Sequence, residues 1–224
     1  MTDFSTGNSG NTLYDAVVKI GPECAQEGAY CKVLGEDVSP RILSIIPGGY
    51  IMEKLSSVER TTDLLLKIET LLEAKVWNRP ALQSSDEDFR DHLSSFGIEV
   101  PDWAMPETFC MVHGDPTVSN CLSRDGKLIL CDPRPPRDYI PQCKETDMGR
   151  ILQSYFGWES VAYGQLRVNY KKPEFLKNEK YARLAGFWCG AAVKRIKHLE
   201  LSRGCIRPRI IKWCDSVGEI CAKA

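Results

Sequence analysis

β-Branched and aromatic positions cluster in Thr12 to Ile20 (TLYDAVVKI) behind a Gly/Asn-rich start, which predicts a strand leaving a tight turn. Pro22 and Glu23 then open a helix-like stretch that closes at Gly35, with proline suited to a first turn and glycine to the position after the last. Ser39 to Ile46 and Tyr50 to Leu55 read as two further strands around the turn Pro47-Gly48-Gly49. From Ser57 the apolar spacing changes to that of a helix, with Leu64, Leu65, Ile68, Leu71, Leu72 and Val76 on one face. A polar stretch, Ser84 to Asp91, precedes Phe96 and Ile98, and Pro101 and Pro106 punctuate the approach to the apolar run FCMVHGD. Two short strands, Cys121-Leu122 and Leu128 to Cys131, flank the hairpin turn Arg124-Asp125-Gly126-Lys127. The remainder is mainly helical, most clearly over Asp147 to Tyr155 and Tyr181 to Leu201. The order of elements predicts an α+β chain with a small strand-helix-strand-strand unit over residues 1–55 and a mainly helical lobe over residues 56–224.

Composition narrows the function classes. The 224 residues are 43% hydrophobic and carry 29 basic and 30 acidic side chains, so net charge gives no argument for nucleic acid or membrane. The distribution is uneven: Arg167 to Ala224 holds 14 basic and 5 acidic residues, against 15 and 25 in the first 166. Ten cysteines are spread through apolar stretches without scaffold or CxxC spacing, and His92, His113 and His198 stand far apart, so reduced thiols and no structural metal are expected. The start MTDFSTGNSGNT lacks the basic and apolar segments of a signal peptide and no stretch is long enough to span a membrane, which predicts a cytoplasmic protein.

The chemistry concentrates in His113-Gly114-Asp115-Pro116-Thr117-Val118-Ser119-Asn120 and, after the hairpin, Leu128-Ile129-Leu130-Cys131-Asp132. Phosphoryl transfer needs a carboxylate that orients an attacking hydroxyl and takes its proton, together with oxygen ligands for magnesium. Asp115 fits the first need, and Asn120 with Asp132 the second. Protein kinases separate the base from the metal-binding amide by four residues, as Asp115 and Asn120 are separated here.

The HGDxxxxN form, with glycine where protein kinases carry arginine, resembles the aminoglycoside phosphotransferase and choline kinase group. That resemblance implies a protein-kinase-like two-lobe fold and an ATP- and Mg2+-dependent kinase acting on a hydroxyl of a small-molecule substrate such as a sugar, amino sugar or amino alcohol. Asp115 would be the catalytic base, and Asn120 and Asp132 would hold magnesium. Lys19 would pair with the ATP phosphates and Glu27 with Lys19, although Glu23 could take that place. The backbone of Glu53, Lys54 and Leu55 would form the adenine-binding hinge. Asp147, opening a helix, would brace the catalytic loop without touching substrate.

The chain departs from the family pattern at two places. Only 18 residues precede Lys19, too few for the usual strand, phosphate loop and strand, and Gly7-Asn8-Ser9-Gly10 suits a hairpin better than a phosphate loop. A protein partner that completes the short lobe is therefore an expectation. After Asp132 comes the stiff loop Pro133-Arg134-Pro135-Pro136-Arg137-Asp138, and Asp147 follows 15 positions after Asp132, leaving no room for a long activation segment. Arg134 and Arg137 could contact an anion. The basic C-terminal region favours an anionic or neutral acceptor over a cationic aminoglycoside. A reduced protein kinase and a non-catalytic kinase-like interaction protein are the competing readings.

Overall fold

The computed structural model describes residues 15–82, 90, 93–135, 142–202 and 206–223. The predicted hairpin at Gly7 to Gly10, the polar stretch over Ser84 to Glu87, and Arg137 and Asp138 lie outside them. Strand β1 (Ala16–Ile20), helix α1 (Cys24–Leu34), β2 (Ile42–Ile46) and β3 (Gly49–Glu53) form an antiparallel sheet in the order β1-β3-β2 with α1 packed against it. Helix α1 carries Lys32 in its last turn, where a cation suits the carbonyl end of the helix, and stops at Gly35, whose φ of 92° disfavours side-chain-bearing residues. Gly28 is the contact point with the sheet. A Cβ there would lie 2.7 Å from the Tyr50 ring, so its absence lets α1 settle onto β3.

A second sheet, β4 (Ser56–Ser57), β5 (Cys121–Arg124) and β6 (Lys127–Leu130), is also antiparallel. The β5–β6 link is a two-residue turn with positive φ at Asp125 (51°) and Gly126 (78°), the aspartate-glycine pair that matches strand twist. Ser57 therefore begins no helix. Ser56 and Ser57 pair with Ser123 and Leu122, and helix α2 starts only at Leu64 and runs to Lys75. Leu64, Leu65, Ile68 and Leu72 then form its buried face.

Helices α3 (Lys144–Tyr155), α4 (Trp158–Tyr163), α5 (Glu179–Ser202) and α6 (Pro208–Ala222) complete the architecture. The main core joins Tyr30 and Leu34 of α1, the α2 face, Val112 and Leu130 to Ile151, Cys189 and Trp213 of the later helices. None of the helices among the described residues is long and apolar enough to cross a membrane.

Polar ties fix the first sheet and α1 to the rest. Arg124 forms an ion pair with Glu53 and also donates to the carbonyl oxygens of Glu36 and Ser39. Arg79 donates to the carbonyls of Leu34 (3.0 Å) and Val33 (2.7 Å) at the end of α1. The Leu130 N–H donates to Val38 at 2.7 Å. These bonds satisfy carbonyls that a helix end and a loop would otherwise leave open.

Helices α3 and α5 touch backbone to backbone at Gly149, where a Cβ would lie 2.7 Å from the Cys189 nitrogen and 2.8 Å from the Trp188 carbonyl carbon. Gly149→Ala is expected to force the helices apart and to destabilise the fold by about 2 kcal/mol, a loss of roughly 5 °C in Tm by calorimetry.

Candidate functional site

The segment His113 to Asn120 has almost no regular structure of its own and is held from behind by α3. Asp147, fully buried one turn into that helix, accepts hydrogen bonds from the N–H groups of His113 (2.9 Å) and Gly114 (2.7 Å) and from Trp77 Nε1 (3.0 Å). Two turns further on, Ser154 Oγ accepts from the Val118 N–H at 3.0 Å and donates to Glu159 at 2.6 Å. A seven-residue step returns to the same side of a helix, so one face of α3 grips both ends of the loop. Burial pushes the Asp147 carboxyl up to about 6 against the opposing pull of its three donors, which leaves it ionised at neutral pH. Burial pushes His113 down to about 4, so its ring is neutral there, and its Nδ1 lies 3.4 Å from the Asp115 N–H.

Gly114 has φ +82°, and a Cβ on it would lie 2.7 Å from the carbonyl oxygen and the Cβ of Arg134. Glycine here lets the stiff loop after Asp132 lie directly on the His113 to Asn120 segment, an approach closed by the Arg134 N–H bond to the His113 carbonyl at 2.8 Å.

Lys19 reaches the same place from β1. It stands opposite Tyr50 in the sheet, so both side chains share the face toward α1, and both meet Glu27. Lys19 Nζ lies 2.6 Å from Glu27 Oε1 and 2.8 Å from Asp132 Oδ1, and the Tyr50 hydroxyl donates to Glu27 at 2.5 Å. Burial lowers the lysine pKa, but the bonds and charges of Asp132 and Glu27 outweigh it and hold the ammonium above its ordinary value. Of the two acids near the start of α1, Glu27 is therefore the one paired with Lys19. Asp132 sits at φ +57°, a conformation that aspartate tolerates, with its side chain partly exposed.

Asn120 folds back onto Asp115, its Nδ2 donating to the Asp115 carbonyl (2.8 Å) and lying 3.3 Å from Oδ2. Its backbone carbonyl accepts from the Cys131 N–H at 2.8 Å, and its side-chain Oδ1 accepts no hydrogen bond among the described residues. Among the described residues no group of three His, Cys, Asp or Glu side chains forms a metal cage. Asn120 and Asp132 are instead hard oxygen donors of the kind magnesium takes when phosphates and water fill its other positions.

The expected hinge is narrower than the sequence suggested. The Glu53 N–H already donates to the Arg41 carbonyl and the Lys54 N–H to the Asp15 carbonyl, so sheet pairing commits both amides. The Glu53 carboxylate is held by Arg124 and Lys54 pairs with Asp15, which leaves Leu55, between β3 and β4, to offer an amide to a ligand.

A cavity of about 510 Å³ opens on the other side of Asp115. Arg134 and Arg150 flank the carboxylate, each Nε 4.0 Å from one of its oxygens. Arg150, Gln153, Trp158, Tyr163, Arg195 and Arg207 line this cavity without having been singled out in the sequence. Their one legible signal is helical spacing: Arg150 and Gln153 follow Asp147 at steps of three, which places them over the loop that Asp147 supports. The nine cysteines among the described residues are free, and burial pushes Cys31 and Cys131, nearest the lysine, up to about 12, which makes them poor nucleophiles.

Because the Asp147 pKa is raised in the fold from 3.8 to about 6, its contribution to stability is full below pH 4 and falls as pH rises through 6. Asp147→Ala strands three buried donors and is expected to destabilise by about 3 kcal/mol at pH 7. The gap from wild type should widen as pH is lowered toward 5, measured by urea unfolding at each pH; an unchanged gap would show that the carboxylate titrates in its ordinary range, and a narrowing one that the fold lowers its pKa.

No protein-family model, no curated protein and no solved structure matches the chain, so its function is to be read from the geometry of its own residues.

Proposed function

We propose that the protein is an ATP- and magnesium-dependent phosphotransferase acting on a hydroxyl of a small molecule, with a two-lobe, kinase-like arrangement of its site. The observation that carries this reading is the convergence of Lys19 on both Glu27 and Asp132, beside a loop that presents Asp115 and Asn120. Five side chains from four separate stretches of sequence supply the kinds of group that phosphoryl transfer would use.

Lys19, fixed by Glu27 and Tyr50, would hold nucleotide phosphate, and Asn120 and Asp132 would hold magnesium. Bound Mg·ATP would supply the phosphoryl group and screen its charge. Asp115 takes the proton of the acceptor hydroxyl as that oxygen bonds to phosphorus and ADP departs. The Asp147 and Ser154 bonds hold the base in place before substrate arrives, which lowers the cost of orientation. The size of the cavity against Asp115, about 510 Å³, and the short run from Asp132 to Asp147 favour a small acceptor over a protein segment.

Isothermal titration with ATP, with and without magnesium, tests the reading first: magnesium-dependent binding is expected, and no binding would turn the assignment toward a non-catalytic interaction protein. Asp115→Ala should lower transfer about 100- to 10,000-fold while leaving nucleotide affinity nearly unchanged. Asp132→Ala should weaken binding only when magnesium is present. Unchanged turnover in the first variant would remove Asp115 as base, and unchanged affinity in the second would move the metal elsewhere.

A further inference from the structure

The cavity beside Asp115 is separate from the lysine end of the site. Lys19, Glu27, Asn120 and Asp132 contribute nothing to its lining, whereas Asp115 does. It is thus placed for the acceptor and not for the nucleotide phosphates, and the two regions meet at the base.

Its charge is unusual for a pocket that would take an amine. Four arginines line it, Arg134, Arg150, Arg195 and Arg207, against the carboxylates Glu23, Asp115 and Glu200. Arg207 and Glu200 form a two-pronged pair, with Nε to Oε2 at 3.0 Å, and neutralise each other. Glu23 lies at the start of α1. Around Asp115 the balance is cationic. Arg134 and Arg150 face its two oxygens at 4.0 Å, an electrostatic contact too long for a direct hydrogen bond.

Arg150 decides the sign. Its side chain is only 17% exposed, so its charge has left most of its water, and burying a cation is costly unless an anion compensates. The near carboxylate is Asp115, which loses its charge when it takes the substrate proton. A second anion inside the cavity would keep the guanidinium compensated throughout turnover, and the planar five-donor group suits an oxyanion. Along α5, Ala192, Arg195, Ile196 and Leu199 recur at helical spacing and give the chamber one cationic and three apolar positions, while Trp158 and Tyr163 add aromatic surface.

We propose that the acceptor is an anion, a small polyhydroxylated compound carrying a phosphate monoester or carboxylate that is held by Arg134, Arg150 and Arg195 while its hydroxyl meets Asp115. The inference rests on the phosphotransferase reading for the direction in which the acceptor lies, and its binding test is independent of that activity.

The probes are a matched set: a neutral hexose, its 6-phosphate, its uronate and its 2-amino form, titrated into the full chain by calorimetry, with Mg·ATP binding measured separately. The phosphate or the uronate, or both, should bind at least about tenfold more tightly than the neutral and amino sugars, and the two anions distinguish a phosphate site from a carboxylate site. Arg150→Gln should remove that preference, again by about tenfold, with Mg·ATP affinity retained; Arg134→Gln, on an exposed loop, serves if the first variant fails to fold. Equal binding of all four sugars, tighter binding of the amino sugar, no binding of either anion, or anion binding indifferent to both substitutions would each overturn the proposal. Loss of Mg·ATP binding with anion binding intact would instead sink the phosphotransferase reading and leave the anion site standing.

Discussion

A single buried carboxylate holds the site together. Asp147 accepts from two consecutive backbone amides of the His113 to Asn120 segment and from Trp77, joining the loop to α3 and to the turn after α2. The loop has no sheet or helix ladder along most of its length, so without these bonds its amides would be buried and unmatched. An ionised carboxylate forms charge-assisted bonds, roughly twice as strong as neutral ones, and they offset part of the cost of burying the charge, the remainder showing as the raised pKa. Ser154, on the same face of α3, repeats the arrangement at Val118. The helix is in turn seated on α5 through Gly149, so close helix packing at one residue helps fix where the Asp115 segment stands some distance away.

The lysine end depends on a different physics. Lys19 and Tyr50 are cross-strand neighbours, and Gly28 lets α1 come close enough for Glu27 to meet both. The lysine then bridges to Asp132 across the two parts of the chain. This bridge is partly exposed, so its stabilising effect is modest; its consequence is positional, keeping an ammonium and a carboxylate together where phosphate and magnesium would come between them. The structural weight at the junction falls instead on Arg124 and Arg79, which bind main-chain carbonyls of the α1 end and the loop that follows.

The two ends differ in charge. Acidic groups gather with Lys19, and arginines gather around Asp115. The excess of basic residues after Arg167 thereby acquires a location, since Arg195 and Arg207 from that region line the cavity while most of the others are spread over exposed positions. A charge asymmetry visible as a count becomes chemistry only where helix α5 turns one face inward.

The sequence by itself determined much of the local structure. The aspartate-glycine turn, Gly35 after α1 and the apolar stripe of α2 are set by short-range sterics and periodicity, and they stand where the residues placed them. The spacing of Asp115, Asn120 and Asp132 is likewise local, because one loop and one hairpin carry all three. Tertiary structure decided the rest. Ser56 and Ser57 became a strand only because the edge of β5 was open to them, a pairing that propensity at two serines does not encode. Glu27 was selected over Glu23 by the seating of α1 on Tyr50, and Glu53 and Lys54 lost their amides to neighbouring strands. The arginines of the cavity come from two helices and two connecting segments, and their convergence depends on helix packing at small residues, a long-range constraint with no signature in the spacing of the charges themselves.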